Sequence, residues 1–108
     1  MAEEVKITDD NFDREVKDHE GLVLVDFYAD WCMPCRMIAP TIEQLAKDYE
    51  DSLKVGRLDV DKNSGSAAAF SVTGIPTLLL FKDGEPVERL VGLQTADALK
   101  AVIDKHVA

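Results

Sequence analysis

A continuous run of apolar and β-branched residues, from Gly21 to Tyr28, constrains the fold of this chain more than any other feature. Such a run is typical of a strand covered on both faces of a sheet, because a strand with one face in water would carry polar residues at alternate positions. Shortly after this run, the apolar residues are spaced as on one face of a helix; they are Met37, Ile38, Ile42, Leu45, Ala46 and Tyr49. Pro40 lies inside that spacing and predicts a kink. A buried strand leading into an amphipathic helix favours an α/β fold with parallel crossovers.

The rest of the chain extends this unit to the order βαβαβαββα. We expect strands at 4–7, 21–28, 53–60, 76–81 and 87–91. We expect four helices: one that ends near residue 18, one that follows the cysteines, one at 63–70, and one from about 95 through 106. The oxygen-bearing side chains of 8–11 are expected to cap the first helix. Asp83 and Gly84 indicate a hairpin turn, which makes the last two strands antiparallel. The sequence therefore predicts a mixed sheet with helices on both faces.

The length and charge of the chain narrow the classes of partner. With 108 residues, it is expected to form one domain over 1–108 with its own core. Its net charge of −9 argues against a nucleic-acid partner, because binding a phosphate backbone requires clustered Lys and Arg. The first ten residues have neither the basic nor the apolar segment of a signal peptide, and the longest apolar runs are too short to span a bilayer. We therefore expect a cytoplasmic protein without a membrane partner.

The two cysteines, Cys32 and Cys35, could serve as a staple, as metal ligands or as redox groups. A structural zinc site needs four ligands, which one Cys-x-x-Cys pair and the distant His19 and His106 do not supply, so we expect no metal site. A disulfide that closes so small a loop removes little entropy from the unfolded chain. Redox chemistry is favoured, because Cys32 follows a buried strand where a helix begins, and a helix N-terminus favours the thiolate. Cys35, one turn into that helix, is placed to resolve a mixed disulfide.

The neighbours of the cysteines have more than one interpretation. Pro34 suits the first turn of a helix, where its missing N–H would be unpaired in any case. Arg36 opposes the helix dipole, so it either steadies a nearby thiolate or is a solvated surface cation. Trp31 could be a core residue, but beside a reactive thiol in a loop we favour a partly exposed contact residue that shields the sulfur.

Asp26 interrupts the apolar run where the pattern asks for a hydrophobic residue. It is either a strand-end residue turned to solvent or a buried acid whose pKa is raised. A buried acid below the cysteines could take the proton of Cys35 through water. Arg57, on the next predicted strand, is a candidate charge partner for this carboxylate.

Two further positions suggest turns close to strands. Pro76 opens a strand after Gly74 and Ile75, which indicates a tight turn and allows a cis peptide bond, although an ordinary turn proline fits as well. Gly92 is interpreted as a glycine that ends a strand.

With these residues in place, the chain resembles the thioredoxin family over essentially its whole length. The match is carried, in the family's order and spacing, by Asp26, Phe27, Ala29, residues 31–36, Pro40, Asp59, residues 74–77, residues 81–84 and Gly92. The resemblance implies the thioredoxin fold, a central five-stranded mixed β-sheet flanked by four helices, and the activity of a protein-disulfide reductase. It further implies that Cys32 attacks, that Cys35 resolves and that Asp26 assists the proton transfer. A cis peptide bond at Pro76, with the proline packed against the cysteines, is also implied.

The resemblance also implies a docking surface and a set of partners. Target peptides would lie against Trp31, Gly74 to Pro76, and Val91 to Leu93 including Gly92, with the backbone of Ile75 pairing with the target strand. The partners would be a thioredoxin reductase that draws on NADPH or ferredoxin, and disulfide-containing targets of the peroxiredoxin, methionine sulfoxide reductase and ribonucleotide reductase types. The protein would be a monomer with no bound cofactor besides its redox-active cysteine pair.

Three positions depart from the family's usual residues. Met33 replaces a glycine in the dipeptide that helps to set thiol pKa and reduction potential, and it adds a flexible apolar side chain to the docking surface. Tyr28 replaces a tryptophan, which packing should tolerate. Arg57 replaces a lysine and cannot release its proton, so contact with Asp26 should hold that carboxylate ionised more firmly.

Two other functions remain open from the sequence. The changed dipeptide could raise the reduction potential and make the chain a thioredoxin-fold oxidase or isomerase. Alternatively, the fold could serve as a binding scaffold or assembly subunit in which redox turnover is incidental.

Overall fold

The computed structural model of the protein describes residues 3–107. Its strands are β1 (Val5–Ile7), β2 (Leu22–Tyr28), β3 (Leu53–Asp59), β4 (Thr77–Lys82) and β5 (Glu85–Val91). Its helices are a short π-helical segment (Asp13–Lys17), α1 (Met33–Asp48), α2 (Ser64–Ala69) and α3 (Ala96–Asp104). The element order is the predicted one.

The strands form a mixed sheet in the order β1-β3-β2-β4-β5. β2 lies at its centre, parallel to β3 and antiparallel to β4, while β1 and β5 form the two edges. The parallel register places Asp26 opposite Arg57. This confirms the thioredoxin fold that the resemblance implied, with five strands and four helical segments.

Each face of the sheet carries its own apolar core, and the alternation of side chains along β2 separates them. Leu22 and Leu24 pack on one face with residues of α1 and α3. Val23, Val25 and Phe27 pack on the other face with residues of the π-helical segment and α2. Because successive side chains of a strand point to opposite faces, Asp26 lies on the face that α1 covers.

Two of the predicted capping residues bond each other in the turn that leads into the first helix, and a third caps a different helix. Thr8 and Asn11 bond each other, since the Thr8 N–H donates to Asn11 Oδ1 (2.7 Å) and the Asn11 N–H donates to Thr8 Oγ1 (3.1 Å). The carboxylate of Asp9 accepts the N–H groups of Gly65 (3.1 Å) and Ser66 (2.8 Å) in the first turn of α2. The π-helical segment itself begins after Phe12 with no side-chain cap. The capping prediction was therefore wrong about the helix that Asp9 caps, because the partner is distant in sequence.

The hairpin turn between β4 and β5 is confirmed, with positive φ at both Asp83 (51°) and Gly84 (86°). Asp83 fixes the turn to the start of β2, because its N–H donates to the Gly21 carbonyl (2.9 Å) and its Oδ1 accepts from the Gly21 N–H (2.7 Å). β5 begins at Glu85, earlier than predicted, because an edge strand tolerates a proline such as Pro86.

Gly84→Ala should destabilise the protein more than Gly21→Ala. Both glycines have positive φ, and an L-residue there costs about 1 to 2 kcal/mol. A Cβ at Gly84 would also overlap the carbonyl oxygen of Lys17, whereas a Cβ at Gly21 meets nothing within 4 Å. We expect the overlap to add about 1 to 3 kcal/mol to the loss of unfolding free energy, measured by urea denaturation. Equal losses in the two variants would contradict the close packing of the hairpin against Lys17.

Candidate active site

The two cysteines lie at the N-terminus of α1, where the sequence placed them. Cys32 is the N-cap residue, with extended backbone, and its Sγ accepts a hydrogen bond from the Cys35 N–H (3.2 Å). The two sulfurs are joined as a disulfide, with 5.3 Å between the Cα atoms. Both residues are buried, so the sulfurs are covered by their surroundings. This geometry presents a helix N-terminus and a backbone N–H to the sulfur of Cys32, and both favour negative charge there.

The local sequence explains why the helix begins at this point. The chain leaves the central strand at Tyr28, and Cys32 stays extended while Met33 and Pro34 enter the first turn. Pro34 can occupy that turn because the first N–H groups of a helix have no partner within it. α1 then continues through Pro40 to Asp48.

An exposed apolar surface surrounds the buried sulfurs. Its members, called the apolar rim below, are the half-buried Ile75 and four exposed residues, Trp31, Met33, Val91 and Leu93. Trp31, Met33 and Val91 expose 71%, 61% and 57% of their surface. Large exposed apolar patches on otherwise charged proteins mark interaction sites.

Three contacts assemble the loop residues of this surface. The carbonyl oxygen of Ile75 lies 3.7 Å from Cys32 Sγ, close enough for a reduced thiol to donate to it. A Cβ on Gly74 would lie 3.5 Å from Cγ1 of Val91, so these two positions are neighbours. The Gly92 N–H donates to the Pro76 carbonyl (2.8 Å), and the Ile75–Pro76 peptide bond is cis, as the resemblance implied.

Trp31 is held by a partner that the sequence did not indicate. Its Nε1 donates to Oδ2 of Asp61 at 2.8 Å, across a separation of thirty residues. Asp61 follows the end of β3, so the adjacent carboxyl ends of two parallel strands bring the pair together. The indole therefore has a defined position although most of it is exposed.

Asp26 is fully buried, which excludes a strand-end residue turned to solvent. Its Oδ2 accepts a hydrogen bond from Nε of Arg57 at 3.1 Å. Its Oδ1 has no hydrogen-bond partner among residues 3–107. The Arg57 guanidinium lies over the ring of Tyr28, 4.1 Å from the centroid, and Oε2 of Glu4 lies 3.6 Å from the same Nε. The predicted ion pair forms, and Tyr28 and Glu4 are contacts that sequence reasoning missed.

Burial decides the protonation of Asp26. It raises the pKa of Asp26 to about 6, although the charge and hydrogen bond of Arg57 act to lower it. The expectation that Arg57 would favour the ionised form is correct in direction, but desolvation outweighs the ion pair. Asp26 is therefore a carboxylate at neutral pH that takes up a proton at only mildly acidic pH.

A groove of about 580 Å³ connects the second cysteine to the guanidinium. It is lined by Tyr28, Ala29, Asp30, Cys35, Arg36, Ala39 and Arg57. Arg36 is exposed at its wall and brings a second positive charge to the side of Cys35. The groove gives solvent a route to the neighbourhood of Cys35.

Two kinds of feature, a metal-binding cluster and a membrane-spanning helix, are absent from the part of the chain that is described. Among residues 3–107, no group of three or more His, Cys, Asp or Glu side chains is arranged to hold a metal ion. No helix within the same residues is long and apolar enough to cross a membrane.

Comparison with known proteins agrees with this geometry. The family model described as Thioredoxin matches residues 3–105. A protein named Thioredoxin from Staphylococcus haemolyticus is 53% identical over 102 residues, which are 94% of this chain and 96% of that protein. The Thioredoxin of Staphylococcus saprophyticus is 53% identical and that of Staphylococcus aureus 52% identical, with the same coverage.

Titration of Asp26 should make the protein less stable as the pH rises. The unfolded chain releases this proton near pH 3.9, the usual value, whereas the native protein keeps it until about pH 6. Between these values the native state binds more protons, so the free energy of unfolding falls with rising pH. Relative to Asp26→Asn, which cannot titrate, the unmodified protein should lose roughly 2 to 3 kcal/mol between about pH 4 and pH 7.

Urea denaturation of the disulfide form at several pH values measures this difference. Asp30→Asn is the matched control, because it removes the same charge from an exposed position nearby. Its free energy of unfolding should change with pH in the same way as that of the unmodified protein. Parallel curves for Asp26→Asn would contradict the raised pKa of Asp26.

Proposed function

Because the chain belongs to the thioredoxin family, we propose that it reduces disulfides in target proteins by thiol–disulfide exchange through Cys32 and Cys35. The family and the closely spaced cysteine pair make it a protein-disulfide oxidoreductase. The observation that carries the proposal is the position of Cys32, whose sulfur caps α1 and accepts the Cys35 N–H. These groups stabilise a thiolate, the species that attacks a disulfide. In this proposal the whole chain, 1–108, acts as one domain.

In the first step the thiolate of Cys32 attacks one sulfur of the target disulfide. The target's S–S bond breaks, the other target sulfur leaves as a thiolate, and a mixed disulfide joins Cys32 to the target. Cys32 is the attacking residue because it lies beside the apolar rim, whereas Cys35 lies one turn deeper and is fully buried.

In the second step Cys35 resolves the mixed disulfide. Its thiol loses a proton, which passes through water to Asp26, and the resulting thiolate attacks Sγ of Cys32. The bond between Cys32 and the target breaks and the second target sulfur leaves as a thiolate. Both target thiolates then take up protons from water, and the cysteine pair is left oxidised as a disulfide. The pKa of about 6 suits Asp26 to accept a proton near neutral pH. Arg57 is the charge partner that lowers the pKa of the buried carboxyl group, which would otherwise require still more alkaline conditions to ionise.

The apolar rim is the proposed docking surface for targets. Trp31 shields the sulfur, and Val91 and Gly92 line the opposite side with Gly74 and Pro76. The backbone of Ile75, next to Cys32, would add the target segment as a short strand. Met33 extends the rim with a flexible thioether side chain and tunes the choice of partner.

The reaction leaves an oxidised pair, which a second protein must reduce. We assign this role to a thioredoxin reductase, in keeping with the general behaviour of the family. Targets would be disulfide-containing proteins of the peroxiredoxin, methionine sulfoxide reductase and ribonucleotide reductase types. The protein would act as a cytoplasmic monomer with the cysteine pair as its redox group, Arg36 steadying the thiolate beside it.

Substitution of each cysteine should block the reaction at a different step. Cys32→Ser removes the attacking sulfur, so insulin-disulfide reduction in the presence of dithiothreitol should fall to the uncatalysed rate. Cys35→Ser keeps the first step and blocks the second, so targets should accumulate as mixed disulfides, detected by non-reducing electrophoresis. A scaffold function would survive both changes, and an oxidase would oxidise reduced ribonuclease faster than it reduces insulin.

A charge placed on the apolar rim should weaken binding of protein targets. Val91→Asp should raise the KM for a protein disulfide about tenfold, equal to about 1.4 kcal/mol, and leave reduction of a small aromatic disulfide unchanged. Val87→Asp is the matched control, since Val87 is another exposed valine of β5, four residues farther along the strand from Val91. An equal rise in KM for both variants would show that charge alone, rather than the rim, governs docking.

A further inference from the structure

Three charged side chains meet on the sheet face below α1. Asp26 and Arg57 lie opposite each other on β2 and β3. Glu4 directly precedes β1, the strand on the other side of β3, and its alternation with Val5 turns it to this face. One nitrogen, Nε of Arg57, lies 3.1 Å from Asp26 Oδ2 and 3.6 Å from Glu4 Oε2.

One guanidinium therefore serves two carboxylates. Oε2 of Glu4 and Oδ1 of Asp26 are both buried and have no hydrogen-bond partner within residues 3–107. The ring of Tyr28 covers one face of the guanidinium, and Glu43 of α1 adds a further negative charge close to Glu4. Lys6, the register partner of Arg57 on β1, is exposed. The positive charge that could stabilise an ionised Asp26 is consequently divided, and the second carboxylate repels the first.

We propose that Glu4 is a positioning residue for the proton transfer: it shares the Arg57 guanidinium with Asp26 and thereby keeps Asp26 a stronger base. This inference rests on the proposed function, in which Asp26 receives the proton of Cys35. Glu4 itself does not contact the cysteines, and it acts through Arg57 and through its charge.

The direction of the effect follows from electrostatics. The charge of Glu4 raises the pKa of Asp26, and burial raises the pKa of Glu4 against the attraction of Arg57. Removing the charge of Glu4 ends the repulsion and leaves Arg57 to Asp26 alone, and both changes lower the pKa of Asp26. Because a base of lower pKa accepts a proton less readily, the Cys35 step should slow near neutral pH.

The test compares Glu4→Gln with the unmodified protein in two measurements. The first is the titration of the Asp26 carboxyl carbon by NMR in the disulfide form, where Glu4→Gln should lower the pKa of Asp26 by about 0.5 to 1. The second is the pH dependence of release of nitrothiobenzoate from its mixed disulfide with Cys32, which follows the Cys35 step. Its midpoint should move to lower pH by a similar amount.

Two further variants separate charge from structure. Glu3→Gln removes the same charge from an exposed neighbour and should leave both measurements unchanged. Glu4→Asp keeps the charge and should stay closer to the unmodified protein than Glu4→Gln does, whatever its effect on stability.

The outcomes distinguish this inference from the function on which it rests. An unchanged Asp26 titration in Glu4→Gln overturns the role of Glu4. A lowered Asp26 pKa with an unmoved release profile instead overturns the assignment of Asp26 as the proton acceptor of Cys35. A parallel shift of both supports the inference.

Discussion

The parallel pairing of β2 with β3 is the interaction on which the rest of the site depends. Its register places Asp26 opposite Arg57, so a cation lies within hydrogen-bond distance of a fully buried carboxylate. The same pairing fixes the end of β2, from which the chain passes into α1 through Cys32. A slip of one residue would turn Asp26 to the opposite face, among the aromatic side chains there. The hydrogen bonds of the sheet therefore also determine how the residues of the active site are arranged.

Burial of the Asp26 carboxyl group lowers the stability of the protein and makes the residue a better proton acceptor. A leucine in place of Asp26 would suit the apolar core on that face of the sheet, and an ionised carboxylate there opposes folding at neutral pH. The two apolar cores and the hydrogen-bonded sheet supply the compensating free energy. A buried acid in such a setting holds its proton more tightly than an exposed one, and this property makes it useful beside a thiol.

The sequence predicted the fold and the positions of the cysteines because both depend on local patterns. The apolar run at 21–28 and the helical spacing after it identify the central strand and α1 without knowledge of tertiary contacts. The roles of Asp9, Asp61 and Glu4 depend instead on partners distant along the chain, for which no local signal exists. The contact of Asp26 with Arg57 could be anticipated from adjacent strands, but its balance against burial requires the packed structure.

The fixed position of Trp31 has a consequence for observing the protein. It is the only tryptophan of the chain, it adjoins Cys32, and its indole is oriented by the hydrogen bond to Asp61. Emission from this one indole therefore comes from a single place, the exposed surface beside Cys32, so a target that covers this surface can be followed by fluorescence without any added label.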